Sequence, residues 1–348
     1  MPRLARPRLN AILVALSQLL LLGALVLALR YVWVHETTDP VRLAGQPPHP
    51  LTVRPGQSAA AVAQSLAELG LLKHPLLFRV LVLVRGAGGR LQAGEYRLDG
   101  NLSLDGIVDK LVAGEVARYE VTFPEGKTYE EMAAIAAARG LDREAFLKAA
   151  REPAPIRDLD PQAQDLEGYL FPDTYDVAPQ PDAARLVARM LERFRDVVGP
   201  LRPRLDERKL SLRRLVTLAS IVELETARAD ERPRIAAVFL NRLAKGMLLQ
   251  TDPSVIYALR LRGTWDGNIR KVDLQMDSPY NTYRFPGLPP GPIASPGKDA
   301  LLAVLDPAPT KELYFVSRND GSHEFSEDLG AHERAVTRFQ RQRRRGGA

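Results

Sequence analysis

The stretch that decides the reading of this chain is LSLRRLVTLASIVELETARADERPRIAAVFLNRLAKGMLL, residues 210–249. Its first half repeats apolar residues at three and four spacings: Leu212, Leu215, Val216, Leu218, Ala219, Ile221 and Val222. That period predicts a helix, apolar on most of its circumference and therefore buried. A second helix follows. Near the end of the first lie two carboxylates, Glu223 and Glu225. Two positions on a helix are about 200° apart, so the pair faces different sides. Glu225 falls on the stripe of Leu218, Ile221 and Val222. A carboxylate on an apolar stripe is hard to ionise, and a raised carboxyl pKa is what a general acid for glycosidic cleavage requires. A glutamate at a helix end is also a common place for a solvated or salt-bridged side chain, and Arg228 and Arg232 follow closely.

Working outward, the chain of 348 residues is long enough for two domains. Its 48 Lys and Arg against 42 Asp and Glu leave a net charge of +6. That suits a polyanion, but no aromatic-interleaved basic patch appears, so nucleic acid is not an expected partner. No cysteine is present, which excludes disulfides, thiol catalysis and thiolate metal sites. The five histidines form no paired-ligand spacing, so no metal is expected, and nothing calls for a cofactor.

At the N-terminus, Arg3, Arg6 and Arg8 precede an uncharged run from Leu9 to Leu29, which is followed by Arg30, Tyr31 and Trp33. About 20 apolar residues suffice to cross a bilayer. The run is longer than a signal-peptide core and lacks a clear small-x-small site. The expectation is an uncleaved signal anchor over 11–34 behind a cytoplasmic basic tail, 1–10. The arginines place the N-terminus inside, so everything after Val34 lies outside a cytoplasmic (inner) membrane crossed once. Residues 35–50, rich in proline, read as a linker.

Residues 51–115 read as strand, two helices, strand and a further helix: Leu51–Val53, Ser58 capping a helix to Leu69, Pro75–Val84, Glu95–Leu98, then Ser103 capping a helix to Val112. This small α+β unit resembles a LysM-like, glycan-binding module in pattern; a spacer or packing subdomain fits the same pattern. Residues 116–335 read as a larger α+β domain. It opens on the strand YEVTF, 119–123, and a capping box of Thr128 with Glu131. A helix over 143–151, a loop over 152–165, a rigid aromatic loop over 166–175 and a helix from Pro181 to Val198 follow. After the 210–249 helix pair, Gln250-Thr251-Asp252 caps a helix at Pro253, and five prolines over 286–296 hold the chain extended. A helix over 298–304 and a strand ELYFV, 312–316, complete it. The arginine-rich end, 336–348, reads as a disordered tail.

Four segments together are distinctive: EGYLFPDTY at 167–175, ASIVELETA at 219–227, GMLLQTDPSVIYAL at 246–259 and YNTYRFPGLPPGPIASPG at 280–297. In this order, behind one membrane anchor, the chain resembles the MltG/YceG-like endolytic murein transglycosylase family over nearly its whole length. The resemblance implies a membrane helix, a LysM-like subdomain and a catalytic domain. It also implies that the catalytic acid is the second glutamate of the E-x-E-T segment, here Glu225. Leu224 departs from the lysine that relatives often carry there, on a side facing away from Glu225.

The implied chemistry needs one carboxylate. Glu225 protonates the leaving glycosidic oxygen, then takes the proton of the C6 hydroxyl of N-acetylmuramic acid as that oxygen attacks C1 and closes a 1,6-anhydro ring. Gln250, Thr251, Asp252, Tyr280, Asn281 and Tyr283 are the candidate sugar contacts, Tyr169 or Phe171 a candidate stacking surface, and Glu223 an orienting residue or a partner of Arg228. A hydrolytic muramidase would need a second carboxylate, Asp252 or Glu223. A non-catalytic glycan-binding scaffold is the reading from another class. The anchor and short linker keep the site close to newly made glycan, which implies internal cuts that set strand length; the resemblance further implies association with peptidoglycan polymerases and transpeptidases.

Overall fold

The structure, a computed structural model, describes residues 6–39, 48–72, 74–98, 101–117, 119–177 and 182–341. Parts of the basic N-terminal tail, of the linker and of the arginine-rich end therefore lie outside the described residues, as does the helix start read at Pro181. The chain is mixed α+β and divides into two compact units, 1–118 and 119–348.

The first unit begins with α1 (Arg6–Thr38), of which Leu13–Thr38 is long and apolar enough to cross a membrane. The helix passes Val34, the expected end of the span. Its last turn is held by the Thr37 and Thr38 hydroxyls, which donate to the carbonyls of Trp33 and Val34, and by the i,i+4 pair His35–Asp39. Then come β1 (His49–Val53), α2 (Ala59–Glu68), α3 (Pro75–Val84), β2 (Gly94–Leu98) and α4 (Leu104–Ala113). β1 and β2 pair antiparallel, with Leu51 opposite Tyr96. Ser58 and Ser103 cap α2 and α4 through their side chains. Leu51, Val62, Leu66, Phe78, Tyr96 and Ile107 are among the residues that close one core.

The second unit contains β3 (Tyr119–Thr122), α5 (Tyr129–Ala137), α6 (Arg143–Ala150), β4 (Thr174–Val177), α7 (Ala183–Val198) and α8 (Arg202–Glu207). It continues with α9 (Leu212–Glu225), α10 (Arg232–Ala244), α11 (Asp252–Leu261), α12 (Lys298–Leu305), β5 (Tyr314–Ser317), β6 (His323–Ser326) and α13 (Leu329–Val336). β3 pairs with β4, and β5 with β6, both antiparallel. The strand read over 312–316 is found as Tyr314–Ser317.

α9 is the axis of this unit. Ser211 caps it, every residue from Leu215 to Val222 is buried, and it touches α10, α11 and α12. A helix apolar all round stabilises only from a core position, so its last turn and Glu225 are fixed by the whole unit. The loop over 166–172 packs beside it. Gly168 has φ +83°, and a Cβ there would fall 2.4 Å from Pro292 and 3.0 Å from Val216. Only glycine lets the two turn-rich segments meet at this point.

Candidate active site

Glu225 is the last residue of α9 and is partly buried. Its Oε1 accepts a hydrogen bond from the Thr251 hydroxyl. Burial pushes the Glu225 carboxyl up to about 7; the Thr251 bond and the Arg242 charge act downward, the Asp252 charge upward. The carboxyl is therefore poised between acid and conjugate base near neutrality.

Thr251 is the N-cap of α11, yet its side chain does not cap. The hydroxyl is given to Glu225 instead, and a buried network holds the residue in place. Its N–H donates to Thr282 Oγ1 at 3.0 Å. Its carbonyl accepts from Ser254 Oγ at 2.7 Å, and Ser254 Oγ lies 2.8 Å from Thr282 Oγ1. Gln250, just before, adopts a left-handed φ of +52°, fixed by its N–H donating to the Thr282 carbonyl. A strained non-glycine residue of this kind persists only where its surroundings over-determine it.

Of the expected residues, Thr251, Asp252 and Tyr283 lie by Glu225, while Tyr280 lies by Tyr257 and Glu167. Gln250 and Asp252 are exposed, and Tyr283 donates to Asp252 Oδ1 at 2.6 Å. Tyr280 is half-buried, its ring centroid 4.9 Å from that of Tyr257. Gln250 and Asp252 thus stand in solvent, and Tyr280 and Tyr283 are half-buried.

The others are held in packing and internal bonds. Asn281 is fully buried: its Nδ2 donates to the carbonyls of Leu274 and Met276, and its Oδ1 accepts from the Tyr283 N–H. Both of its amide hydrogens are spent inside the loop, and the side chain is enclosed. Tyr169 is 1 % exposed, edge-on to Phe194, with its hydroxyl donating to Asp160 at 2.5 Å. Phe171 is also buried. Neither ring offers a face to a pyranose, because hydrophobic burial claims both. Thr251, too, is buried and acts on Glu225. Glu223 pairs with Arg232 at 2.8 Å, rather than with Arg228, and accepts the Gly297 N–H at 2.9 Å. Arg228 turns to Asp230.

One further carboxylate escaped the sequence reading. Glu167 is 3 % exposed and accepts from the Tyr129 N–H at 3.1 Å and the Tyr257 hydroxyl at 3.4 Å. Burial holds its carboxyl well above the usual range. Its only signal was a glutamate among turn formers in an otherwise apolar segment.

Comparison with known proteins bears on this geometry. The profile of the YceG-like family matches residues 51–338. A protein of Bacillus subtilis (strain 168) named endolytic murein transglycosylase is 32 % identical over 332 residues, covering 90 % of this chain and 91 % of that protein. A Streptococcus pneumoniae (serotype 2, strain D39 / NCTC 7466) protein of the same name is 30 % identical over 315 residues; the match covers 81 % of this chain but 56 % of the pneumococcal protein. A 2.6 Å crystal structure of a yceG-like protein from Listeria monocytogenes superposes with a TM-score of 0.59 at 31 % identity, covering 82 % of this chain and 98 % of that one.

Proposed function

The chain belongs to the YceG-like family, and on that premise we propose that it is an endolytic peptidoglycan lytic transglycosylase. The bond cleaved is the β-1,4 link from N-acetylmuramic acid to N-acetylglucosamine, within a glycan strand. The observation that carries this reading is Glu225: one acid at the end of a buried helix, its carboxyl raised to about 7 and held by a threonine hydroxyl. In its protonated form Glu225 gives its proton to the glycosidic oxygen as the C1–O bond breaks. As carboxylate it then accepts the C6 hydroxyl proton while O6 bonds to C1. No water enters, so the product ends in 1,6-anhydro-N-acetylmuramic acid. A single group with a pKa near neutrality suits both steps. Gln250, Asp252, Tyr280 and Tyr283 are the proposed sugar contacts.

Placed by α1 as a single-pass anchor, with the N-terminus inside, the catalytic unit works outside the cytoplasmic membrane. It would cut strands as they are made, limiting their length near polymerases and transpeptidases. The strand and helix order of residues 51–115 supports a LysM-like role in holding glycan.

The test is digestion of purified glycan strands, with products read by mass spectrometry. Fragments lighter by one water than hydrolytic ones are expected. Reducing ends would instead mark a muramidase using Asp252 as second carboxylate.

The Thr251 bond predicts a pH signature. The first step needs protonated Glu225, so kcat/KM falls tenfold per pH unit above about pH 7. Thr251→Val removes a donor that favours the ionised form, so the alkaline limb moves upward by about one pH unit. Thr251→Ser restores the wild-type profile. An unmoved limb in Thr251→Val would remove the bond from the mechanism.

A further inference from the structure

In the small unit, α3 has two apolar faces and only one is used. Phe78, Leu81 and Val82 are buried in the core. On the other side, Leu76 (67 % exposed), Val80 (43 %), Leu83 (78 %) and Val84 (72 %) stand in solvent. Val80 lies four residues from both Leu76 and Val84 and three from Leu83, which puts them on one stripe. A shallow groove lined by Ala59, Ala60, Val80 and Leu83 continues the stripe onto α2. The only charged residue of α3 is Arg79, and Arg85 follows at its C-terminal end; α3 holds no acidic residue.

α1 joins the same unit on its α4 side. Trp33 packs against the core of the small unit, Thr37 is buried, and the end of α1 touches α4. Arg85 pairs with Asp105 at 3.2 Å and Asp109 at 2.5 Å, both on α4. One helix thus touches both the outer end of the span and the end of α3. A body of about 70 residues has a radius of gyration of about 11 Å, so no face of it is far from the point where the span leaves the bilayer. We propose that the exposed stripe of α3 seats in the headgroup–acyl boundary of the membrane that α1 crosses, as an interfacial helix with Arg79 toward lipid phosphates. An apolar stripe with basic flanks is the composition such helices have. The proposal rests on α1 being the membrane span.

The absence of cysteine makes the test direct. Leu83→Cys in the full chain is labelled with an environment-sensitive fluorophore and reconstituted as one copy per lipid nanodisc. Quenching by nitroxide-bearing lipid is compared with quenching by aqueous iodide. The expected result is lipid quenching several-fold stronger than iodide quenching, with a blue-shifted emission. Dominant iodide quenching would overturn the proposal, and so would protection from both quenchers, which means protein covers the face. A label at Leu20→Cys reports on α1 alone. Lipid quenching at Leu20 without it at Leu83 sinks the interfacial helix; its loss at both positions removes the span, and the proposal with it.

Discussion

Glu225→Gln lowers glycan cleavage by roughly 10³–10⁴-fold, at the upper end of what one acid–base residue supplies, because the same group serves both proton transfers. The amide keeps the shape, and its oxygen still accepts from Thr251. It has no proton to give at the glycosidic oxygen. The same substitution stabilises the fold, with a sign set by the raised pKa. Below about pH 4.5 the Glu225 carboxyl is neutral in both the folded and the unfolded chain. As pH rises toward 7 the unfolded chain releases its proton first, so the wild type loses stability. By pH 8 the loss reaches about 3 kcal/mol, because a tenfold difference in proton affinity between the folded and unfolded chain is worth roughly 1.4 kcal/mol. The glutamine variant has no such loss. Melting temperatures of the two full-length proteins in detergent should coincide near pH 4 and separate by pH 8, with the variant higher. Near-normal cleavage by the variant would remove Glu225 from the chemistry; coincident melting at pH 8 would mean its carboxyl is not raised. The site thus carries a local instability that the rest of α9 offsets.

What could be read before the structure was what local pattern determines. The period of α9 announced its burial, and burial of the helix is the main cause of the raised Glu225 carboxyl. Serine caps and the Thr128–Glu131 box announced helix starts for the same reason: donor and acceptor lie three residues apart. The four-segment resemblance to the family is confirmed by a match over 51–338. Interactions between distant residues were not legible. The sequence offers Thr251 as part of a helix cap and as a sugar contact, yet its hydroxyl reaches a residue 26 positions away. For Glu223 the sequence offers an orienting role or a pairing with Arg228, the nearer arginine, whereas the turn after α9 carries Arg228 to Asp230 and brings Arg232 to Glu223. Asn281, Tyr169 and Phe171 have the chemistry of sugar contacts, but tertiary packing encloses them. The short strands β4 and β6 exist only because β3 and β5 pair with them.

Arg232→Met destabilises the second unit by about 3–5 kcal/mol, the range for removing one partner of a buried ion pair. Arg232 is 8 % exposed and faces three carboxylates: Glu223 at 2.8 Å, Glu125 at 3.6 Å and Asp299 at 3.7 Å. Neither member of the main pair is placed for its own helix. Glu223 lies in the last turn of α9 and Arg232 begins α10, each at the end where the helix dipole disfavours its charge. Their pairing offsets both misplacements and ties the end of α9, with Glu225 two residues on, to Gly297 in the proline-rich segment. A methionine fills the volume but leaves the carboxylates facing one another. The pH dependence discriminates this cause from simple loss of packing. The Glu125 carboxyl is already raised, first by burial and then by Glu223, while Arg232 lowers it. Without the arginine it rises further, and a raised carboxyl loses stability as pH climbs from its unfolded to its folded pKa. The deficit against wild type should therefore be larger at pH 8 than at pH 5, a difference that thermal melting at the two pH values reads directly. A deficit independent of pH would mean that Arg232 matters for its bulk and not for its charge.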